Sequence, residues 1–372
     1  KTILIVYFAY LLICIFFQFR SYLNIKLIIK KNNLYYFFIL AICLFLCLDV
    51  SYSLTLDWDA QVFWISKTLN FYNNETIDNL VNTRNQNYPF LGSLLWATFW
   101  KISFFPEEYT GRLFYIFLYC VSLASLTEIL KLSSTIKTVF FIMLILMSYR
   151  YIYFSGSQDI LIFCLISIAA KALYRIIHND EKISIKNMIL LVLVCNSLIW
   201  IKQEGTVYAF IIMFTVLLYS KPNLYKKIYL FGFITFLFCF RIFIHNIYNL
   251  DISINSNVWN NLSLNSIIEK MTFERVVTIF KFFLFGFFKN SFFILGLVFF
   301  IISFFSRNII RKDLYIYFFY LMSYGFIFIA YLTTDADLAW MLKVGMDRLI
   351  YSASPFYILI VIRYINLQKL KI

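Results

Sequence analysis

Apolar residues in this chain fall into long runs that are separated by short polar stretches. An α-helix needs about 20 apolar residues to cross the hydrocarbon core of a bilayer. Runs such as 34–50 and 289–305 hold one charged residue each and read as unbroken helices. The pattern therefore predicts eleven membrane-spanning helices. They lie near residues 2–19, 34–54, 109–130, 137–154, 159–177, 187–201, 206–220, 228–248, 286–305, 313–332 and 349–366.

The composition supports a membrane protein and excludes a water-soluble domain. Of 372 residues, 62% are hydrophobic and 14% are charged, and the mean hydropathy is +0.79. Ten-residue stretches of alternating polarity, which a membrane β-barrel requires, are not found. We therefore predict an all-α, polytopic transmembrane bundle that forms a single domain over residues 1–372.

The formal net charge of +14 is explained by where the charges sit. Six short connections on one predicted side hold nineteen Lys and Arg residues against four acids. These connections are 20–31, 128–137, 171–186, 221–227, 306–313 and 363–372. Because basic residues gather in cytoplasmic loops, that side is predicted to be cytoplasmic, with the N-terminus outside and the C-terminus inside. The charge thus indicates orientation, and we expect no nucleic-acid partner.

The other predicted side carries longer segments with room for chemistry outside the bilayer. These outer segments are 55–108, 249–285 and 333–348. Residues 88–105 are apolar enough to span, but a span there would invert the charge bias. We predict that they form an interfacial helix, with Trp96 and Trp100 on one face at the membrane surface.

Two carboxylates, Asp57 and Asp59, open the first outer segment directly after a predicted span. A helix end fixes the height of such a group at the bilayer surface, where it can act as a general base on a lipid-borne substrate. The alternative is that both residues only end the span in water.

Three further ionisable residues lie where predicted helices meet the outer face. Asp159 begins a helix, where a carboxylate is also explained by capping. Lys202 and Glu204 separate two apolar runs with barely a turn between them, and ionisable groups at that depth are costly and usually functional. A local ion pair between Lys202 and Glu204 is the alternative.

Arg348 precedes the last predicted span. Its guanidinium can contact two phosphate oxygens at once. The alternative role is an anchor at the membrane interface.

Taken in order, several fragments resemble the GT-C superfamily of polyprenyl-phosphate-sugar glycosyltransferases, which includes protein mannosyltransferases and the aminoarabinose transferase of lipid A. The resemblance covers most of the chain. Its fragments are Asp57-Trp58-Asp59-Ala60 with Phe63-Trp64 and Lys67, Asn87-Tyr88-Pro89-Phe90-Leu91, Gly111-Arg112-Leu113, Gln158-Asp159, Lys202-Gln203-Glu204-Gly205, and Asp347-Arg348 with Pro355. The chain departs from the commonest pattern by an extra span before the first outer segment and by lacking a soluble C-terminal domain.

The resemblance implies an inverting glycosyltransferase on the extracytoplasmic face of a plasma membrane, such as the bacterial inner membrane. A polyprenyl-phosphate-linked sugar is the implied donor, and a lipid, glycan or protein hydroxyl is the implied acceptor. An acid of the first outer loop acts as catalytic base in that superfamily, which carries over to Asp59 first and Asp57 second. Tyr88 is carried over as a substrate-binding residue.

The donor phosphate needs cations, for which Lys202 and Arg348 are available. We expect Asp159 and Glu204 to form a secondary acidic group nearby, which either positions Mg²⁺ or Mn²⁺ or orients Lys202. No other cofactor is expected.

Three other function classes are alternatives, and one of them is a non-catalytic membrane scaffold. A transporter or flippase of lipid-linked saccharides would use the same charges as a path through the membrane. An O-antigen polymerase or ligase shares the substrate class and differs mainly by lacking the early Asp motif. The sugar and the acceptor stay open.

Overall fold

The computed structural model describes residues 26–52, 54–178, 185–220, 224–250, 264–305 and 313–369, and within these ranges the chain forms helices and no β-strand. The all-α prediction is confirmed for these residues. The helices are α1 (Lys26–Tyr52), α2 (Ile65–Tyr72), α3 (Leu91–Ile102), α4 (Tyr109–Thr127), α5 (Ser134–Ser148), α6 (Tyr151–Phe154), α7 (Asp159–His178), α8 (Ile185–Ile201), α9 (Gln203–Tyr219), α10 (Leu224–Ile247), α11 (Leu264–Lys270), α12 (Phe273–Lys289), α13 (Ser291–Phe305), α14 (Leu314–Thr333), α15 (Leu338–Ala353) and α16 (Pro355–Lys369). A π-helical turn spans Ala60–Trp64, and a 3₁₀ helix spans Ile77–Asn82.

Six helical segments of the described chain are long and apolar enough to cross a membrane, or seven if the bent pair of α12 and α13 counts as one span. They comprise α1, α4, α7, α10, α14 and the continuous rod of α15 with α16. Three shorter apolar helices, α5, α8 and α9, accompany them. These helices indicate an integral membrane protein. The predicted count of eleven spans is not confirmed, and the first predicted span, 2–19, lies outside the described residues.

The predicted span 286–305 is not one continuous helix, although the run 289–305, which was predicted to be unbroken, is helical from Ser291 to Phe305. The chain bends by 87° between α12 and α13. Asn290 causes the break, because its backbone is extended and its side chain accepts a hydrogen bond from the Phe293 amide at 3.1 Å. Asparagine is a favoured N-cap, so it starts a new helix here.

The predicted span 137–154 is also divided. Helix α5 ends at Ser148, and Tyr149 and Arg150 are extended before the single turn of α6. The Arg150 guanidinium contacts the Asp347 carboxylate at 2.8 Å and the Lys289 carbonyl at 3.0 Å. An arginine with these partners explains why the chain leaves the helix at this point.

The predicted outer segment 333–348 is largely helical. Asp337 caps α15 by accepting the Trp340 amide at 3.1 Å, so the helix begins at Leu338. Arg348 therefore lies within α15 and not in a loop before the last span. The direction of the Arg348 side chain therefore depends on the rotation of α15 about its axis, as well as on the position of the residue along the helix.

Helix α7 is the centre of the bundle. It is buried over most of its length and packs against α4, α8, α15 and α16. Helices α8 and α9 form an antiparallel hairpin beside it, in which the Cys195 thiol and the Ala209 carbonyl oxygen are 3.8 Å apart. The N-terminal end of α7 and the tip of this hairpin thereby reach the same region.

Helix α3 corresponds to the predicted interfacial helix. Its 12 residues extend about 18 Å, which is too short to cross a bilayer. The role predicted for Trp96 is wrong, because this side chain is fully buried against Gly111 and Gly156. Trp100 is partly buried and stacks on Tyr72 with ring centroids 4.0 Å apart.

Candidate functional site

The first outer segment begins with a tightly fixed turn that carries Asp57 and Asp59. The Asp57 amide donates to the Ser155 carbonyl at 2.8 Å, and its own carbonyl accepts from the Gln61 amide at 3.0 Å. The π-helical turn Ala60–Trp64 follows immediately, and such turns are frequent at functional sites. Asp59 is 8% exposed, so its carboxylate faces the protein interior rather than open water.

Asp159 reaches the same region from the N-terminus of α7. The preceding turn depends on Gly156, whose φ of +96° is unfavourable for a side chain and where a Cβ would lie only 2.6 Å from Ala60 and 2.7 Å from Trp96. The Asp159 carboxylate is buried and accepts a hydrogen bond from the Ser157 hydroxyl at 3.0 Å. Its remaining contacts are with cations, so capping alone does not account for it.

Lys202 is the connection between α8 and α9. Its backbone is extended, and its amine lies 2.9 Å from Asp159 Oδ1 and 3.5 Å from Glu204 Oε1. The predicted local pair with Glu204 exists. The closer partner is Asp159, which is 43 residues away in sequence.

Arg348 joins these groups from α15. Its Nη1 donates a hydrogen bond to Asp59 Oδ2 and lies 3.8 Å from Asp57 Oδ2, while its Nε lies 3.7 Å from Asp159 Oδ2. The structure therefore gathers six residues proposed from the sequence into one group, which we call the charged cluster. Its members are Asp57, Asp59, Asp159, Lys202, Glu204 and Arg348.

The charged cluster holds four carboxylates and two cations. Such a group retains a carboxylate that is not fully neutralised, which a general base requires. Burial raises the pKa of Asp57 above the usual value for a carboxyl, and the neighbouring Asp59 raises it further, while the Trp58 amide and Arg348 oppose this shift. Asp57 is the candidate whose pKa its surroundings raise, and Asp59 is the one in direct contact with the guanidinium.

Tyr88 borders the charged cluster. Its ring stacks on Trp64 with centroids 5.8 Å apart, and Glu204, Lys202 and Asp59 act on it electrostatically. Burial raises the pKa of its hydroxyl to about 12, so the group is neutral and can donate or accept a hydrogen bond at pH 7.

Lys67 fixes the backbone beside Tyr88. Its fully buried amine donates to the Asn85 carbonyl at 2.7 Å and to the Tyr88 carbonyl at 2.8 Å. Burial lowers the pKa of Lys67 to about 7. Lys67 was part of a fragment noted in the sequence, but no role was predicted for it. In the structure it holds the segment that carries Tyr88.

Tyr331 of α14 and Arg150 also border the charged cluster, and neither was proposed from the sequence. Tyr331 is buried, lies within electrostatic reach of Arg348, and packs so closely against Gly345 that a Cβ there would lie 2.5 Å from its hydroxyl. Arg150 holds Asp347, the neighbour of Arg348. A tyrosine in an apolar run does not by itself indicate a functional site. An arginine inside the predicted span 137–154 does, and this signal was missed at Arg150.

The predicted pair of metal-binding acids is arranged around an amine. Lys202 contacts both Asp159 and Glu204, and among the described residues no group of three or more His, Cys, Asp or Glu side chains is arranged to hold a metal ion. This geometry fits the orientation of Lys202, and a cation bound between the two acids requires the amine to move.

Comparisons of the chain with protein-family models, with curated proteins and with solved structures found no match.

Proposed function

We propose that this protein is a membrane glycosyltransferase that moves a sugar from a polyprenyl-phosphate donor to an acceptor hydroxyl. The observation that carries the proposal is the contact between Arg348 and Asp59, which are 289 residues apart in sequence. It places a carboxylate suited to proton abstraction beside a guanidinium suited to a phosphate. Lys202 adds a second cation through its contact with Asp159.

The reaction is a single displacement. Asp59 takes the proton of the acceptor hydroxyl, the hydroxyl oxygen attacks the anomeric carbon, and the bond from that carbon to the phosphate oxygen breaks. The configuration at the anomeric carbon is thereby inverted. Polyprenyl phosphate leaves as a stable anion, so one carboxylate suffices, unlike the pair that glycoside hydrolysis needs.

Arg348 and Lys202 hold the donor phosphate in this proposal. A guanidinium has five N–H donors, so Arg348 can keep its contact with Asp59 while it binds phosphate oxygens. The fork also keeps the leaving group close to the base. Preorganised cations of this kind stabilise the charge that develops on the leaving phosphate.

The position of the charged cluster favours an enzyme over a transporter of lipid-linked saccharides. Asp57 and Asp59 precede a helical turn, Asp159 starts α7, and Lys202 forms the hairpin tip. A translocation path needs polar groups at successive depths. The members at the ends of helices are instead held at one level, which we propose is the extracytoplasmic face.

The test is transfer by the purified protein in lipid nanodiscs, with a panel of polyprenyl-phosphate hexoses and release of polyprenyl phosphate as the readout. Asp59→Asn keeps the shape and removes the base, so release should fall by about 10² or more. Asp57→Asn tests the second candidate. Asp78→Asn is the matched control, since Asp78 is exposed in the same segment and its carboxylate accepts a hydrogen bond from the Thr76 hydroxyl at 3.1 Å.

Normal release by both Asp59→Asn and Asp57→Asn would overturn the mechanism. Loss in Asp57→Asn with normal release in Asp59→Asn would exchange their roles. Movement of lipid-linked saccharide across sealed vesicles without release would favour the transporter.

A further inference from the structure

Arg241 lies inside α10, one of the helices long and apolar enough to span a membrane. It is flanked by Phe240 and Ile242. A charged side chain in such a helix is costly and is usually paired or functional. Among the described residues no carboxylate forms a salt bridge with it, so another account is needed.

The Arg241 guanidinium contacts both arms of the α8–α9 hairpin. Its Nη1 donates to the Ile199 carbonyl of α8 at 2.6 Å and to the Thr206 hydroxyl of α9 at 2.8 Å. Lys202 lies between these two residues at the hairpin tip. One nitrogen therefore joins the two arms, at positions three residues before and four residues after Lys202.

The hairpin needs such a partner because its connection is a single residue. The last four carbonyls of a helix have no intrahelical donor, and Ile199 supplies one of them in α8. A cation there satisfies the carbonyl and also complements the negative end of the helix dipole. The arms approach so closely that a Cβ on Gly205 would lie 2.2 Å from the Leu198 carbonyl oxygen.

A second side chain of α10 supports the same tip. His245 lies one turn beyond Arg241, and its ring is 6.2 Å from both the Trp200 and the Phe90 rings. Phe90 follows Tyr88 by two residues. Helix α10 thus contacts the hairpin tip and the segment that carries Tyr88.

We propose that Arg241 is a positioning residue that clamps the α8–α9 hairpin and so holds the Lys202 amine against Asp159 and Glu204. The effect on donor binding rests on the proposed function. The clamp itself is a property of the fold and is measurable without any substrate.

The first measurement is hydrogen–deuterium exchange of the backbone over residues 195–210, with the protein in nanodiscs. Arg241→Leu should speed this exchange about tenfold, the fold-change of losing a hydrogen bond to a charged group. Thr206→Val removes one of the two acceptors and should give a smaller increase. Thr215→Val is its matched control on α9, because the Thr215 hydroxyl donates to the Ile211 carbonyl of its own helix at 2.7 Å.

The second measurement separates positioning from general stability. With polyprenyl-phosphate hexose as donor, Arg241→Leu should raise the donor KM severalfold while kcat changes less, because Lys202 is displaced and the base is not. Arg241→Lys keeps the charge and a donor and should restore much of the affinity. A loss that is only structural would lower the amount of folded protein and leave KM unchanged.

Unchanged exchange in folded Arg241→Leu would overturn the proposal. If that variant does not fold, equal exchange in Thr206→Val and Thr215→Val would overturn it instead. If Arg241→Leu exchanges faster but the parent protein itself transfers no sugar, the clamp stands and the proposed function is overturned.

Discussion

The two ends of α7 carry different arrangements of charge. The charged cluster lies at its first residue, Asp159, and a second group lies at its last residue, His178. This second group, which we call the distal group, consists of His178, Asp313 and Arg363. A helix of 20 residues separates the two by about 30 Å.

In the distal group one carboxylate contacts two basic side chains. Asp313 is 3.1 Å from the Arg363 guanidinium and 3.4 Å from the His178 imidazole. Nearby, the Asn366 side chain accepts from the Lys131 amide and donates to the Ile129 carbonyl, which ties α16 to the end of α4. Among the described residues, these contacts join helix ends and place one carboxylate between two basic side chains.

The charged cluster has the opposite balance, with four carboxylates around two cations. Ion pairs that are only structural gain nothing from additional buried carboxylates, because each one adds a desolvation cost. We propose from this difference that the distal group fastens helices together, whereas the charged cluster maintains a carboxylate for the proposed reaction. Changing one residue in each group tests this distinction.

The largest effect is expected at Arg348. Arg348→Ala removes the cation shared by three carboxylates, so donor binding and transfer should both fall, with transfer lower by about 10². Arg348→Lys keeps the charge but loses the fork and should retain partial activity. Transfer and binding of polyprenyl-phosphate sugar by purified protein measure both variants.

Arg363→Ala is the matched control in the distal group. It should lower thermal stability while transfer per folded molecule stays normal. Donor binding by Arg348→Ala that equals the parent's would make Arg348 an interfacial anchor and erase the functional distinction between the two ends.

The next effect concerns pH. Burial raises the pKa of Asp57. A reaction that needs ionised Asp57 therefore runs at its full rate above that raised pKa, and its rate falls about tenfold per pH unit below it. If Asp57, the second candidate, acts as the base in place of Asp59, the acid limb of kcat/KM should therefore lie at higher pH than an ordinary carboxyl gives. An unchanged limb in an active Asp57→Asn variant would assign the titration to another group.

Sequence reasoning reached much of the charged cluster because its members are exceptions in an apolar chain. Asp57, Asp59, Asp159, Lys202, Glu204 and Arg348 are ionisable residues next to predicted spans, where charge is costly. The sequence showed the order of these six residues along the chain but not the distances between their side chains. The contacts depend on the rotation and packing of α7 and α15, which apolar periodicity does not specify in a helix that is apolar on every side.

The helix breaks were harder to predict for a related reason. Asn290 and Arg150 end helices through contacts that hydropathy averages do not register. Trp96 is buried because Gly111 and Gly156 lie against it, and that pairing is a tertiary one. Local sequence therefore predicted where apolar helices run, whereas side-chain contacts, local at Asn290 and long-range at Arg150, decided where they stop.

A smaller effect on function is expected in the distal group. Asp313→Asn leaves the Arg363 charge without its carboxylate and should lower the free energy of unfolding by about 2 kcal/mol. Transfer per folded molecule should not change, because the charged cluster is a helix length away. Thermal unfolding in nanodiscs and transfer normalised to folded protein measure the two effects, and a tenfold loss of transfer would show that the distal group is coupled to the site.

The smallest effect is expected from chelation. Mg²⁺ and Mn²⁺ bind carboxylate oxygens, and Mg²⁺ requires them at about 2.1 Å in nearly octahedral geometry. Asp159 and Glu204 instead face the Lys202 amine, 2.9 and 3.5 Å away, which already supplies their positive charge. Excess EDTA should therefore change transfer by less than about twofold, whereas Glu204→Gln should weaken donor binding severalfold by leaving Lys202 less firmly oriented. Activity that EDTA abolishes and that added Mg²⁺ or Mn²⁺ restores would show that the two acids hold a metal during turnover and that Lys202 moves away from them.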